Sequence, residues 1–191
     1  MINFLIQKDI DFFLFLNGFN NLFWDKIMYI ISGKFTWIPL YISVLIYFFK
    51  KHGIKQTLIY FFVFIILVIL TDQSSVHLFK NVFERLRPCH NSDISEYIHN
   101  PFGCGGKYGF VSSHAANSFG FCVLSLLLIK NRIYSVIIIF WALLVSYSRV
   151  YLGVHYPADV LVGGFLGCFW TFVLYKIFLI LSKVFNIYKV Y

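Results

Sequence analysis

The run QTLIYFFVFIILVILT at residues 56–71 carries no charge, and its reading decides the fold. A helix crossing the hydrocarbon core of a bilayer needs about 20 predominantly apolar residues. The helical pattern here starts near Ile54 and can continue past Asp72 to about Phe83. A helix from Ile54 to Lys80 would be about 40 Å long at 1.5 Å per residue. Lys80 then stands at the interface opposite the basic break formed by Lys50, Lys51 and Lys55.

The rest of the chain agrees. Hydrophobic residues make up 60% and charged residues only 13%, where a soluble domain has about a quarter charged. The composition implies an all-α integral membrane helical bundle of five to six spans plus an N-terminal interfacial helix, in a single domain over residues 1–191. A first span fits within residues 27–49, with Gly33 and Lys34 near its outer end. A third lies at about 114–129, capped by Ser112 or Ser113. A fourth covers 133–148 after the tight turn Lys130-Asn131-Arg132. A fifth runs over about 157–181, with Pro157 suited to its first turn. Arg87-Pro88 ends the second helix, because proline disfavours helix before it and cannot donate. Lys8, Asp9 and Asp11 interrupt the N-terminal apolar residues, against a cleavable signal. Residues 10–24 mix Phe and Leu with Asn17, Asn20 and Asn21 and read as an interfacial amphipathic helix.

A net charge of +8 raises the question of nucleic acid. The cations instead sit in short breaks: Lys50, Lys51 and Lys55, then Lys130 and Arg132, then Lys183 and Lys189. Such breaks mark cytoplasmic loops by the positive-inside rule, and no basic stretch interleaves with aromatics to bind nucleic acid. Lys80, Arg87, the polar loop 89–112, Arg149 and His155 therefore share the opposite, extracytoplasmic face. Cys89 and Cys104 lie in that loop, while Cys122 and Cys168 fall inside spans. The loop pair could form a disulfide in an oxidising compartment, bind zinc with His90 and His99, or stay as two thiols. The Cys-x14-Cys spacing lacks the close pairing of zinc motifs.

Ionisable residues at membrane depth are costly and usually functional. Here they fall at three helix ends: Lys80-x6-Arg87-Pro88, Ser112-Ser113-His114, and Ser148-Arg149-x5-His155-x3-Asp159. Seven residues make nearly two helical turns, so Lys80 and Arg87 would project to similar sides. Three cations at one depth repel unless an anion joins them, and arginine forks match phosphate oxygens. Two helix N-termini, before His114 and at Pro157, add amide donors. Asp159, in the first turn after His155, can fix one imidazole nitrogen and leave the other free to attack. His114 can protonate a leaving oxygen. Asp72 and His77, on the helix before Lys80, would line the entry to this site, pair with a neighbouring cation or serve a structural role.

These groups resemble the signature of the type-2 phosphatidic acid phosphatase (lipid phosphate phosphatase) superfamily: Lys-x6-Arg-Pro, Pro-Ser-Gly-His, then Ser-Arg-x5-His-x3-Asp. The first and third motifs are intact. In the second, Val111 replaces proline and Ser113 replaces glycine, which matters if that position needs positive φ or close phosphate approach. The resemblance implies that Lys80, Arg87 and Arg149 bind phosphate, with Ser112 and the Ser113 backbone completing the cradle. It implies that His155 forms a phosphoenzyme, Asp159 orients it and His114 acts as the acid, with no metal or other cofactor. CGGKYGF at 104–110, leading into Val-Ser-Ser-His, resembles a branch assigned to lipid A phosphatases or undecaprenyl diphosphatases. The implied partners are the membrane and a phospholipid, lipid A or polyprenyl (di)phosphate, including phosphatidylglycerol phosphate and phosphatidic acid.

Taken singly, each residue has a bland role. Lys80 could snorkel, Arg87 and Arg149 could be topology signals, and His155 could face His114 across a haem. Asp159 could be a helix N-terminal acid, and Ser113 only a cap. Together at these spacings they read as a catalytic set. The competing class is a non-catalytic lipid-binding, scrambling or anion-transporting protein of the same fold, which would be expected to lose His114 or His155.

Overall fold

The computed structural model describes residues 2–184; Lys189, counted above among the cytoplasmic charges, lies outside them. The chain forms α1 (Ile2–Asn17), α2 (Leu22–Ile31), α3 (Ile38–Ser74), a π-helical turn (Ser75–Lys80) and α4 (Asn81–Phe83). After the loop come α5 (Ser113–Ile129), α6 (Arg132–Tyr151) and α7 (Pro157–Val184). Among the described residues there is no strand, only an isolated bridge between Leu86 and Tyr108. The segments Ile38–Phe83, Arg132–Tyr151 and Pro157–Val184 are long and apolar enough to cross a membrane, and Ser113–Ile129 is a shorter apolar helix. The protein is an all-α membrane bundle.

Gly53 reverses the long α3. Its φ of 75° and ψ of 176° break the helix, a conformation open to glycine and strained for other residues. Phe48 and Tyr60, on opposite sides of it, bring their rings to 4.7 Å, although twelve residues of straight helix would separate them by about 18 Å. Tyr41 and Phe64 likewise both reach Phe121, at 4.9 and 4.8 Å. The helix is therefore a hairpin of two arms, 38–52 and 54–74, turning at the basic break.

Two expectations at the N-terminal end fail. Residues 10–24 are not one interfacial helix: α1 ends at Asn17 and α2 begins after a turn. Asn21 caps α2, accepting from the amides of Phe23 at 3.1 Å and Trp24 at 3.0 Å. Asn17 is buried and donates to the carbonyls of His99, Val150 and Tyr151. These asparagines act as turn chemistry and tertiary fasteners. The first arm starts at Ile38 instead of near residue 27, because Pro39 opens a new helix. Trp37 Nε1 bridges the break by donating to the Ile31 carbonyl at 2.8 Å. Lys34 thus lies in a turn.

Close packing of α5 on α7 sets the position of the catalytic end. A Cβ on Gly167 would lie 2.1 Å from the Ala116 carbonyl oxygen, and one on Gly163 would lie 2.5 Å from that of Ser112. Only hydrogen fits at these crossings. The amide of Ser112 also donates to the Asp159 carbonyl at 2.9 Å, which joins the start of α5 to the first turn of α7.

Candidate active site

The helix ends enclose a cavity of about 660 Å³. Lys80, Arg87, Ser113, His114, Arg149 and His155 line its polar end, while Tyr41, Phe64, Phe121 and Trp141 belong to its apolar wall. Asp72 and Lys34 also line it. His77 does not; its Nε2 pairs with Gln73 at 3.1 Å.

Lys80 ends the π-helical turn, and the wider turn shifts it out of α-helical register. Its Nζ donates to Ser113 Oγ at 2.9 Å, and Ser75 Oγ lies 2.6 Å from the same hydroxyl. Ser113 is the first residue of α5 and has no positive φ. The backbone here therefore does not require the expected glycine, and the serine hydroxyl positions Lys80.

Arg87 arrives by a different route from the one its spacing suggested. The helix ends at Phe83, where Glu84 takes left-handed φ and ψ of 46° and 26°, four residues before Arg87-Pro88. Arg87 is extended, its amide bonded to the Lys107 carbonyl at 3.1 Å. Its Nη1 donates to the Cys104 carbonyl at 2.9 Å and its Nε to that of Tyr108 at 3.3 Å. The loop itself is closed by a Cys89–Cys104 disulfide. Of the proposed zinc ligands, His99 pairs with Asp25 at 2.7 Å and His90 Nε2 approaches the Gly105 carbonyl at 3.3 Å.

Arg149, near the end of α6, donates from Nη1 to Ser32 Oγ. Its buried Nε has no partner among the described residues. Ser112 is fully buried and is absent from the cavity wall; its hydroxyl caps α5 through the Ala115 amide at 3.5 Å. The structure therefore places Ser112 as a scaffold for the site and Ser113 as its lining.

His155 is 1% exposed, with Nδ1 3.4 Å from Asp159 Oδ2. Burial holds its pKa well below the ordinary histidine value, with the charges of Arg149, Arg87 and Lys80 adding to the shift and the Gly109 backbone opposing it. A neutral imidazole with one nitrogen held by a carboxylate is a competent nucleophile. Asp159 Oδ2 also accepts from the Tyr156 amide at 3.0 Å.

Three residues escaped the sequence reading. Arg85 donates from Nη1 to Asp159 Oδ1 at 2.8 Å and from Nη2 to Asp9 Oδ2 at 2.6 Å. Gly109 is the third: a Cβ there would lie 3.0 Å from Asp159 Oδ2 and 3.2 Å from Arg87 Cγ. Arg85 could have been noticed as the first arginine of Arg-x-Arg-Pro. No local signal connects Asp9 or Gly109 to the site.

A helical membrane bundle that gathers cations around a buried histidine and its carboxylate defines a membrane phosphatase. The chain belongs to the PAP2 superfamily, whose family model matches residues 35–182. It is 36% identical over 179 residues to a lipid A 4'-phosphatase of Bacteroides thetaiotaomicron, covering 93% of this chain and 80% of that protein. To the lipid A 4'-phosphatase of Porphyromonas gingivalis it is 33% identical, covering 93% and 76%. An undecaprenyl-diphosphatase of Sulfolobus acidocaldarius matches at 36% over 73% of this chain and 62% of its own length. The crystal structure of Aquifex aeolicus LpxE shares the fold, with a TM-score of 0.69 at 22% identity over 87% of this chain and 94% of that one.

Proposed function

We propose that the protein removes phosphate from a lipid at the outer face of the cytoplasmic membrane through a phosphohistidine on His155, with lipid A as the first substrate to test. The observation that carries this reading is His155 itself. It opens on the cavity that Lys80, Arg87 and Arg149 line, while Asp159 holds its Nδ1.

Phosphate oxygens entering the cavity would meet these three cations, which supply charge-assisted donors. Nε2 of His155 attacks phosphorus in line as the P–O ester bond breaks. His114 gives its proton to the leaving oxygen, then takes one from the water that cleaves the P–N bond and releases phosphate. The apolar wall beside Tyr41 and Phe64 suits the hydrocarbon of a lipid rather than a soluble ester. The disulfide in the loop and the basic turns at the other end support an outward-facing site.

The two lipid A 4'-phosphatases match across nearly the whole chain, which favours lipid A over undecaprenyl diphosphate, phosphatidylglycerol phosphate and phosphatidic acid. Phosphate release from the four lipids should be measured side by side in detergent micelles, with His155→Ala as control. Fastest release from lipid A, abolished in His155→Ala and inhibited by vanadate, is the expected outcome. Full turnover by His155→Ala would remove the nucleophile assignment. A strong preference for another lipid would move the substrate but leave the chemistry standing.

A further inference from the structure

Arg85 is absent from the cavity wall, yet it makes direct bonds to two carboxylates. One belongs to Asp159, whose side chain is 0% exposed, and the other to Asp9, at 12%. Asp9 comes from α1, and its Oδ1 accepts from the Ala158 amide at 2.9 Å, in the first turn of α7. The guanidinium lies 4.1 Å from the centre of the Tyr156 ring, which also packs edge-on against Phe13 of α1 at 5.3 Å. The Arg85 carbonyl accepts from Gly109 at 2.8 Å, tying its backbone to the loop. Both terminal nitrogens of Arg85 are thus bonded to carboxylates, and neither Arg85 nor Asp9 lines the cavity.

We infer that Arg85 and Asp9 are positioning residues for the reaction, acting on His155 through Asp159, so that the N-terminal helix forms part of the catalytic centre. This rests on the reading of His155 as nucleophile. When Nε2 bonds to phosphorus, the imidazole becomes cationic and its Nδ1–H must be accepted by an ionised Asp159. A buried carboxylate stays ionised and in one orientation only with a bonded counter-charge. Arg85 supplies that charge on Oδ1, leaving Oδ2 for the histidine. Asp9 holds the other arm of the same fork, so the guanidinium plane is fixed by two carboxylates at once. The family model begins matching at residue 35, so Asp9 stands outside the part of the chain it covers.

The test uses the full chain and lipid A in detergent micelles, comparing wild type with His155→Ala, Arg85→Gln, Asp9→Asn and the Arg85→Gln/Asp9→Asn double variant. Partners that orient a functional histidine from behind are worth roughly 10–100-fold when removed from metal sites, and a loss of that order in kcat is expected for Arg85→Gln. KM should stay within about threefold, because binding that is uniform across the reaction is not being removed. Asp9→Asn should lose less, and the double variant should be no worse than Arg85→Gln, since both act through one carboxylate. Arg85→Lys should recover part of the rate, as a point charge without the fork. An unchanged kcat, a loss confined to KM, or additive losses would overturn the inference. Asp9→Asn is nearly isosteric and decides the matter alone should Arg85→Gln not fold, with unchanged kcat overturning it. Inactive His155→Ala beside unaffected Arg85→Gln would refute only the positioning role, whereas active His155→Ala would refute the mechanism beneath it.

Discussion

In front of His155, Lys34, Lys80, Arg87 and Arg149 place four cations around a cavity, with Asp72 the one acid among its described lining residues. Behind it, Asp159, Arg85 and Asp9 alternate in sign, and each is bonded to the next at 2.6 to 2.8 Å. The front is electrostatically unfinished, and a phosphate dianion would complete it; the charged groups at the back are already paired. Damage in front should therefore change how phosphate and its transition state are held. Damage behind should leave binding alone and slow the chemistry.

The largest expected effect is at the joint between the two sides. Asp159→Asn keeps the volume but replaces the accepting carboxylate with an amide that favours the wrong histidine tautomer. The equivalent change behind a catalytic-triad histidine costs about 10⁴ in kcat, and a loss of about 10³–10⁴ is expected here by steady-state kinetics, with little change in KM. A similar rise in KM would mean that Asp159 also serves the phosphate.

Arg149→Lys tests the front. The guanidinium gives Nη1 to Ser32, and a lysine cannot keep that bond and still offer phosphate a planar fork. Loss of one charge-assisted bond, of about 1.5–3 kcal/mol, corresponds to a fall of roughly 10–100-fold in kcat/KM. Removing the charge altogether has a further signature in pH. The depressed pKa of His155 keeps it neutral, so the acid limb of kcat/KM attributable to it should lie below pH 6.5. Because Arg149 contributes to that depression, Arg149→Gln should move the limb toward higher pH relative to wild type. A limb that does not move would show that burial alone sets the proton affinity of the nucleophile.

Gly109→Ala sharpens the boundary, because a single methyl group would press on both sides. At 3.0 Å from Asp159 Oδ2 and 3.2 Å from Arg87 Cγ, either the carboxylate or the arginine must shift. Overpacking of this kind costs about 1–3 kcal/mol, read here as roughly tenfold in activity. A fall in kcat alone would show that Asp159 yields; a rise in KM would show that Arg87 does.

How much of this could be read from the chain depended on distance along it. Periodicity and charge placement were enough for the bundle, for α5 with its cap narrowed to Ser112 or Ser113, of which the structure takes Ser112, and for the turn at Lys130-Asn131, where Lys130 is left-handed and Asn131 caps α6. They failed at residues 10–49, because turn residues such as Asn17, Asn21 and Gly33 sit among apolar neighbours and imitate a longer helix. Six members of the polar end of the cavity were named in advance, since the three motifs fix their types and spacing. The reason given for Arg87 was wrong: it reaches the site through loop carbonyls and not through helical register with Lys80. Asp9 was invisible because its pairing with Arg85 spans |i−j| of 76, and the Arg-x-Arg-Pro pattern that marks Arg85 does not say which carboxylate it meets.

Ser113→Gly is the smallest expected effect, and it returns to a doubt that the sequence raised. Position 113 is helical, so glycine brings no conformational advantage and carries only its entropic cost at a helix start. What it removes is the hydroxyl that accepts from Lys80 at 2.9 Å and meets Ser75 at 2.6 Å. Lys80 keeps its charge and its place on the cavity wall, and the phosphate itself can take over the lost acceptor. The variant should therefore lose only a few-fold in kcat/KM, below the roughly 1.5–3 kcal/mol of an uncompensated charged bond. The loss should appear as a higher KM with kcat nearly unchanged, which places Ser113 in front. A loss as large as that of Arg149→Lys would mean that the serine holds phosphate directly and not only Lys80.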